Sequence, residues 1–279
     1  MLQAVELTFG YGDTPVLRDV SLDVPSGGFV GIIGPNGSGK TTLLRLLAGT
    51  RKPQHGTVLL DGTPLGSIRR AEIARRMAVV PQETHLAFDY SVLEVVLMGR
   101  YPHLGVFEIE GPADVALARE ALAATGTAVL EDRTFTTLSG GEKQRVIIAA
   151  ALAQISASTR TQADPAVLLL DEPTAALDLK YQLETAALLR DLHDAHALSV
   201  VVSTHDLNFA AALCRTLVML KGGQVLAAGP VEEVLTPARV AQLYDVEADV
   251  TRHARTGYLT VVPVSRIGES SAAPRGAIK

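Results

Sequence analysis

The most informative stretch of the chain is Gly34-Pro35-Asn36-Gly37-Ser38-Gly39-Lys40-Thr41-Thr42, which fits the phosphate-loop pattern G-x-x-x-x-G-K-[ST]. Its glycines let successive backbone N–H groups turn inward around an anion. Lys40 adds a positive charge for the β- and γ-phosphates, and the Thr41 hydroxyl can coordinate Mg²⁺. The stretch therefore predicts a site for the phosphates of a nucleotide.

The residues on either side of this loop support the interpretation. The apolar run 29–33 predicts a buried strand, and residues 42–48 follow a helical pattern that Gly49 ends. A strand, a glycine loop and a helix in this order place phosphates at a helix N-terminus. The alternative, a glycine-rich turn with a chance lysine, does not explain these flanks.

Size and composition limit the class of protein. The 279 residues allow one large domain, or a domain with a subdomain, and 47% apolar residues supply an ample core. The net charge of −5 gives no general basic surface for nucleic acid. Cys214 is the one cysteine, so we expect a buried side chain and no disulfide, which suits a reducing cytosol. We expect neither a membrane span nor a secretion signal, so work at a membrane would be done from its cytoplasmic side, through partners.

The remaining patterns predict an α/β domain over residues 1–264 with one phosphate loop. An antiparallel hairpin is expected over 1–27, a second near Asp61-Gly62, and a mostly helical subdomain over about 89–154. Further strands are predicted at 77–80, 166–170, 198–203 and 258–264, a hairpin at 217–228, and helices at 174–196, 206–214 and 231–244. Residues 265–279 lead into a Ser-, Ala-, Pro- and Gly-rich end that we expect to be disordered.

Two carboxylates follow the apolar strand that ends near residue 170. Because ligands bind at the carboxyl ends of strands in open α/β sheets, Asp171 is placed to hold Mg²⁺ through water. Glu172 is placed to orient and deprotonate an attacking water. The alternative, an exposed acidic turn without function, is disfavoured because the same chain contains a phosphate loop.

The stretch Thr137–Arg145 predicts a second anion site. Ser139 and Glu142 form the S-x-x-E pattern of a capping box, which opens a helix over about 143–154. Because Gly140 and Gly141 precede this helix, its N-terminus can also receive an anion. Two separated phosphate sites with one nucleotide lysine suggest a composite site.

From about residue 2 to 230 the chain resembles the ATP-binding subunit of ABC transporters. The matching segments are Gly34–Thr42 for Walker A, Gln82 for the Q-loop, Leu138–Glu142 for the signature, Leu168–Glu172 for Walker B, Ala176-Leu177-Asp178 for the D-loop, His205 for the switch histidine, and Tyr11 for the aromatic residue that stacks on adenine.

The resemblance implies an α/β P-loop NTPase core with an N-terminal antiparallel β subdomain and an inserted α-helical subdomain. It also implies a head-to-tail homodimer in which ATP lies between the phosphate loop of one copy and Ser139–Gly141 of the other. The implied catalytic residues are Glu172, His205 and Lys40, and the implied Mg²⁺ site is Thr41, Gln82 and Asp171. The residues implied to contact ATP are Tyr11, Gly34, Pro35, Asn36, Gly37, Ser38, Gly39, Lys40, Thr41, Thr42, Gln82, Ser139, Gly140, Gly141 and Asp178.

Weaker signals indicate the kind of transporter. The run Gly99-Arg100-Tyr101-Pro102-His103, the stretch Leu177–Gln182 and the ending Tyr244–Pro263 are similar to importer ATPases for iron–siderophore complexes, haem and vitamin B12. The alternative is that these residues only pack the helical subdomain and the C-terminal segment. Residues 155–165 lengthen the link to the Walker B strand, as in haem-importer ATPases, and otherwise predict a polar surface loop.

The resemblance further implies two integral membrane permease subunits and, indirectly, a periplasmic or lipoprotein substrate-binding protein. The ATPase would then lie on the cytoplasmic face of the inner membrane. An exporter subunit or an iron–sulfur assembly ATPase remains an alternative. A GTPase is disfavoured because no N-K-x-D motif is present, and DNA-repair and translation-factor types because the chain has neither a long coiled coil nor a second cassette.

Overall fold

The computed structural model describes residues 1–84, 86–161, 166–175, 177–196 and 198–267. The strands are β1 (Leu2–Tyr11), β2 (Thr14–Val24), β3 (Phe29–Ile33), β4 (His55–Leu60), β5 (Thr63–Pro64), β6 (Met77–Val80), β7 (Val167–Asp171), β8 (Ser199–Thr204), β9 (Thr216–Lys221), β10 (Gln224–Pro230), β11 (Val246–Arg252) and β12 (Leu259–Arg266). The α-helices are α1 (Lys40–Leu47), α2 (Arg70–Arg76), α3 (Val92–Leu97), α4 (Pro112–Ala124), α5 (Gly140–Thr161), α6 (Leu179–His196), α7 (Leu207–Leu213), α8 (Val231–Val234) and α9 (Pro237–Tyr244).

A six-stranded sheet in the order β10-β9-β3-β8-β7-β6 forms the centre of the fold. Strands β9, β3, β8, β7 and β6 are parallel, and β10 pairs antiparallel with β9. A second, antiparallel sheet has the order β2-β1-β4-β5, and β11 and β12 form a hairpin. The expected α/β class with an N-terminal antiparallel β subdomain is confirmed.

The two faces of the central sheet lie against separate hydrophobic cores. Val30 and Ile32 of β3 pack with α1 and the antiparallel sheet, whereas Phe29 and Ile33 pack with the helices on the opposite face. Both faces of the central parallel strands are therefore covered. This explains why these strands are continuous apolar runs without the alternation of a half-exposed sheet.

The helical subdomain lies between β6 and β7 and contains α3, α4, a short 3₁₀ helix at Met98–His103, and α5. The expectation of a polar surface loop over 155–165 is wrong for residues 155–161, which continue α5. Burial of Ile155, which is 0% exposed, favours continuation of the helix. No proline lies between Ile155 and Pro165, so nothing in the local sequence ends the helix earlier. Residues 162–165 lie outside the described part of the chain.

Four other features differ from the sequence prediction. The helix expected over 174–196 begins at Leu179, because the Asp178 carboxylate accepts the Tyr181 N–H (3.1 Å) and caps it there. The helix expected over 231–244 is divided into α8 and α9, because the residue before Pro237 is disfavoured in helical conformation. Strand β11 was not predicted, and β12 continues to Arg266.

The predicted tail from residue 268 onward, and Ala176 of the D-loop match, lie outside the described residues. Within the described part of the chain, no helix combines the length and the apolar composition that crossing a bilayer requires.

Candidate active site

Four neighbouring strands of the parallel sheet end at the same edge, and each is followed by a predicted functional segment. The phosphate loop follows β3, His205 follows β8, Glu172 follows β7, and Gln82 lies just beyond β6. Adjacent registers, such as Asp171 opposite Ser203, align these ends. The order of the strands thus gathers residues that are more than 160 positions apart in sequence onto one edge.

Glycine is required at two positions of the phosphate loop. A Cβ on Gly34 would overlap the carbonyl oxygen of Leu220 at the end of the neighbouring strand β9. Gly39 has φ +102° at the N-terminus of α1, and a Cβ there would lie 2.7 Å from Leu17 Cδ2. The loop can therefore pass close to its neighbours and still direct its backbone toward the start of α1.

Lys40 is buried in the loop that precedes it. Its Nζ donates to the carbonyl oxygens of Gly34 (2.9 Å) and Pro35 (3.4 Å) and lies 3.2 Å from Glu172 Oε1. The neighbouring Ser38 hydroxyl is also buried, and no described residue accepts or donates a hydrogen bond to it. A buried ammonium beside an unpaired hydroxyl donor fits a phosphate group, whose oxygens accept hydrogen bonds.

A pair of hydroxyls converges on Asp171. Thr41 Oγ1 donates to Asp171 Oδ1 at 3.1 Å, and the buried Ser203 hydroxyl donates to the same oxygen at 2.6 Å. Gln82 lines a common surface with Thr41 and Asp171. A hydroxyl, a carboxylate and an amide oxygen are the hard oxygen ligands that Mg²⁺ accepts, so these three residues fit the ion.

Glu172 has an unusual backbone conformation that directs its side chain toward the phosphate loop. Its φ is +46°, a strained value for a residue other than glycine. The Glu172 N–H, bonded to the carbonyl oxygen (3.0 Å) and hydroxyl (3.2 Å) of Ser203, holds this turn. One carboxylate oxygen then meets Lys40, and the other lies 3.1 Å from His205 Nδ1. The result is a carboxylate between a lysine and a histidine at the mouth of the loop.

The phosphate loop, Gln82 and Glu172 line a groove of about 510 Å³. Tyr11 lies beside it with an exposed ring, whose edge packs on Phe9 at 5.1 Å. A hydrogen bond from Thr42 lowers the pKa of Tyr11, and Arg45 and Arg51 add to this effect against the opposing effect of burial. The Tyr11 ring lies next to the loop, with the Arg51 guanidinium 6.0 Å from its centroid.

A cavity of about 620 Å³ lies elsewhere, beside Phe29 at the start of β3 and Tyr258 of the C-terminal hairpin. It is larger than the groove but contains none of the predicted site residues. The groove is therefore the candidate active site, because ligands of open α/β sheets bind at the carboxyl ends of the strands.

The structure does not bring Ser139, Gly140, Gly141 or Asp178 into the groove. The Ser139 hydroxyl and Glu142 form the predicted capping box, with Ser139 N–H donating to Glu142 Oε2 at 2.8 Å. Gly141 packs directly against the ring of Tyr181, near the start of α6. The signature segment and the start of α6 therefore form a second surface, separate from the phosphate loop in a single chain.

Sequence analysis missed Ser203, which bonds both Asp171 and Glu172. The available signal was a hydroxyl residue near the end of the apolar strand β8, where burial requires it to find a partner. The Gly-Arg-x-Pro-His run also packs within the helical subdomain: Arg100 donates to Ala153 O (2.6 Å), and His103 Nε2 lies 2.7 Å from Gln154 O, both on α5.

Comparison with known families gives a single answer. The sequence profile described as "ABC transporter" matches residues 17–175. The Cobalamin import ATP-binding protein BtuD of Halobacterium salinarum is 42% identical over 251 residues, which are 90% of this chain and 60% of that protein. This chain thus spans less than two thirds of that relative. The Hemin import ATP-binding protein HmuV of Bordetella pertussis is 42% identical over 252 residues, 90% of this chain and 95% of that protein.

Solved structures show the same likeness. A metal-chelate type ABC transporter in an inward-facing conformation has a TM-score of 0.80 and 30% identity, with 94% of this chain and 96% of that chain covered. A dimeric ATP-binding cassette in a post-hydrolysis state, bound to ADP and Pi, has a TM-score of 0.69 and 30% identity, with 83% and 99% covered.

Proposed function

The chain belongs to the ABC transporter family as an ATP-binding subunit, and from this premise we propose that it hydrolyses ATP to drive an importer. The observation that carries the proposal is the convergence of Lys40, Asp171, Glu172 and His205 at the ends of adjacent strands. The pairing of the Lys40 ammonium with the Glu172 carboxylate supports the proposal that this position receives an anion.

The chain's own residues account for each part of the proposed chemistry. Lys40 exchanges Glu172 for the β- and γ-phosphate oxygens, and the phosphate loop donates its N–H groups. Glu172, freed from Lys40, orients a water and accepts its proton. His205 contacts the γ-phosphate. Mg²⁺, held by Thr41, Gln82 and Asp171 in this proposal, supplies positive charge to the phosphates.

The second surface supports a homodimer. Ser139–Gly141 and Asp178 lie outside the groove of their own chain, and beside Asp178 the side chains of Leu179 and Leu183 are 71% and 65% exposed. Two exposed leucines one helical turn apart fit burial against another copy, and identical chains commonly pair about a two-fold axis. In the proposed dimer, Ser139–Gly141 of each copy completes the ATP site of the other.

The helical subdomain presents an apolar surface that fits two membrane permease subunits. Large apolar side chains are exposed close together in sequence here: Phe88, Tyr101, Val106, Phe107 and Ile109. Exposed large apolar side chains concentrated in one segment support a protein contact there. Docking to permeases would place the ATPase at the cytoplasmic face of the inner membrane, with a substrate-binding protein on the other side.

For the cargo we propose an iron complex, haem or cobalamin. Relatives named for cobalamin and hemin import, and a metal-chelate type transporter, support an importer over an exporter or an iron–sulfur assembly ATPase. No nucleic-acid partner is proposed. We also propose the domain limits 1–264, with the helical subdomain over about 89–154. The roles of the individual site residues are part of the same proposal.

The test measures ATP turnover and oligomeric state of the parent chain and of its Glu172→Gln variant. The matched control is Glu120→Gln, because Glu120 lies on the exposed face of α4. We expect the parent and Glu120→Gln to turn over ATP slowly. Glu172→Gln should lose at least about 100-fold and form an ATP-stabilised dimer in size-exclusion chromatography. A Glu172→Gln chain that hydrolyses ATP at the parent rate and stays monomeric would contradict the proposal.

A further inference from the structure

A tyrosine from the C-terminal segment reaches the active site. Tyr244, the last residue of α9, is partly buried, and its hydroxyl donates to the backbone carbonyl of His205 at 3.4 Å. The backbone N–H of Gly34 donates toward the same phenol oxygen. Tyr244 therefore contacts the turn that carries His205, close to the first residue of the phosphate loop.

The phenol keeps its proton at this position. The pKa of Tyr244 is raised to about 12, first by burial and then by the negative charges of Glu172 and Asp206, while the Gly34 N–H lowers it. The hydroxyl is consequently a permanent donor to the His205 carbonyl. At 3.4 Å the contact is longer than an ideal O–H···O hydrogen bond.

The end of α9 is fixed to the central sheet from the other side. Lys221 at the end of β9 donates from Nζ to Gln242 O (2.5 Å) and to Asp245 Oδ1 (2.9 Å). Asp245 itself adopts φ +58° and ends the helix directly after Tyr244. The tyrosine ring is thus presented from a fixed helix end.

The helix that follows His205 is held by the same C-terminal segment. Asn208 on α7 receives the Val261 N–H at its Oδ1 (2.8 Å) and donates from Nδ2 to Val261 O (3.3 Å), so that its amide pairs with one residue of β12. The C-terminal segment therefore makes two contacts here. Tyr244 contacts His205, and Val261 of β12 contacts Asn208 at the start of the following helix α7.

On the basis of the proposed ATPase function, we propose that Tyr244 is a positioning residue that sets the place of His205 relative to the phosphate loop. Through Tyr244 and Asn208, the segment Pro237–Arg266 acts as a brace on the part of the site that contacts the γ-phosphate. Tyr244 touches neither ATP nor water in this proposal. Its effect reaches the reaction only through His205.

The kinetic test compares Tyr244→Phe with Tyr258→Phe, which removes a hydroxyl from the same segment beside the cavity at the opposite ends of the strands. Loss of one hydrogen bond predicts a fall of about threefold to tenfold in kcat for Tyr244→Phe, with KM for ATP unchanged. Tyr258→Phe should keep the parent values. In a His205→Gln background, Tyr244→Phe should cause no further loss. A rise in KM at constant kcat, or an equal fall in both backgrounds, would overturn the proposal.

A second readout is independent of hydrolysis. The chain has seven histidines, and ¹⁵N-detected ring signals assigned with His205→Gln identify His205 among them. We expect Tyr244→Phe to shift the His205 ring signals and leave those of the other histidines in place, whereas Tyr258→Phe shifts none from the His205 turn. An unchanged His205 spectrum refutes the brace. A parent chain without ATPase activity but with this spectral shift refutes the proposed function and leaves the contact established.

Discussion

Replacing Arg100 by methionine should destabilise the helical subdomain strongly. Arg100 is only 5% exposed, and its Nε donates to Asp114 Oδ1 at 3.0 Å. Its Nη1 donates to Ala153 O (2.6 Å) and Ser156 Oγ (3.0 Å), so one guanidinium joins the 3₁₀ helix, α4 and α5. Methionine fills a similar volume and supplies none of these donors.

The expected loss is about 3 kcal/mol in the free energy of unfolding. Removing one partner from a buried ion pair costs about 3–5 kcal/mol. The lower end applies because the Asp114 side chain is 17% exposed and can recover water. Urea unfolding followed by circular dichroism measures the change, and the m-value should stay constant.

Arg119→Met is the matched control, because Arg119 pairs with Glu131 at 3.0 Å but its side chain is 57% exposed. That pair should be worth less than about 1 kcal/mol. If Arg100→Met costs no more than Arg119→Met, the inference that Arg100 joins the subdomain through buried contacts is refuted.

Acid should reduce the difference between the parent and Arg100→Met. The Arg100 hydrogen bond, followed by the Gly111 N–H, holds the pKa of Asp114 below its usual range. A lowered folded pKa gives stability that is present above the unfolded pKa of about 3.9 and is lost as the pH falls through the folded pKa. The gap between the two unfolding curves should therefore narrow below about pH 4.

Two further substitutions test the site. Gly141→Ala would place a Cβ against the ring of Tyr181. We therefore expect the free energy of unfolding in urea to fall by about 1–3 kcal/mol, together with a loss of ATPase activity. A variant with the parent's stability and activity would contradict this packing. Ser203→Ala removes the hydroxyl that donates to Asp171 and accepts the Glu172 N–H, so we expect a loss of about 1–3 kcal/mol and a lower kcat, and an unchanged kcat would contradict its role.

Local patterns predicted the parts of the fold that depend on local chemistry. The phosphate loop requires glycine, lysine and threonine at fixed spacing, and the buried strand β7 requires an uninterrupted apolar run. These requirements are written in consecutive residues. The capping box of Ser139 and Glu142 was predicted for the same reason, since its partners are three residues apart.

Other features depend on contacts that sequence patterns do not show. The positive φ of Glu172 is stabilised by Ser203, 31 residues further along the chain, and the hydroxyl of Tyr244 meets His205 only because β9 and β3 are neighbours. Strand β11 escaped prediction because four of its seven residues are exposed and it pairs only with β12. The proposed role of Ser139 and Asp178 at a dimer interface was inferred from the sequence and the family resemblance, and the single chain places both outside the groove.

The most direct test of the account is a cysteine cross-link between two differently labelled chains. One chain carries Asn36→Cys in the phosphate loop and the other Ser139→Cys in the signature segment; both positions are exposed. Glu172→Gln is present in each to slow hydrolysis. The native Cys214 can stay, because burial raises the pKa of its thiol and so lowers its reactivity. If the chains dimerise head to tail, mixing them with Mg²⁺ and ATP under mild oxidation should give a heterodimer linked by a disulfide between the two introduced cysteines. Either chain alone should not form a cross-link. Absence of this product with ATP present would contradict the composite site.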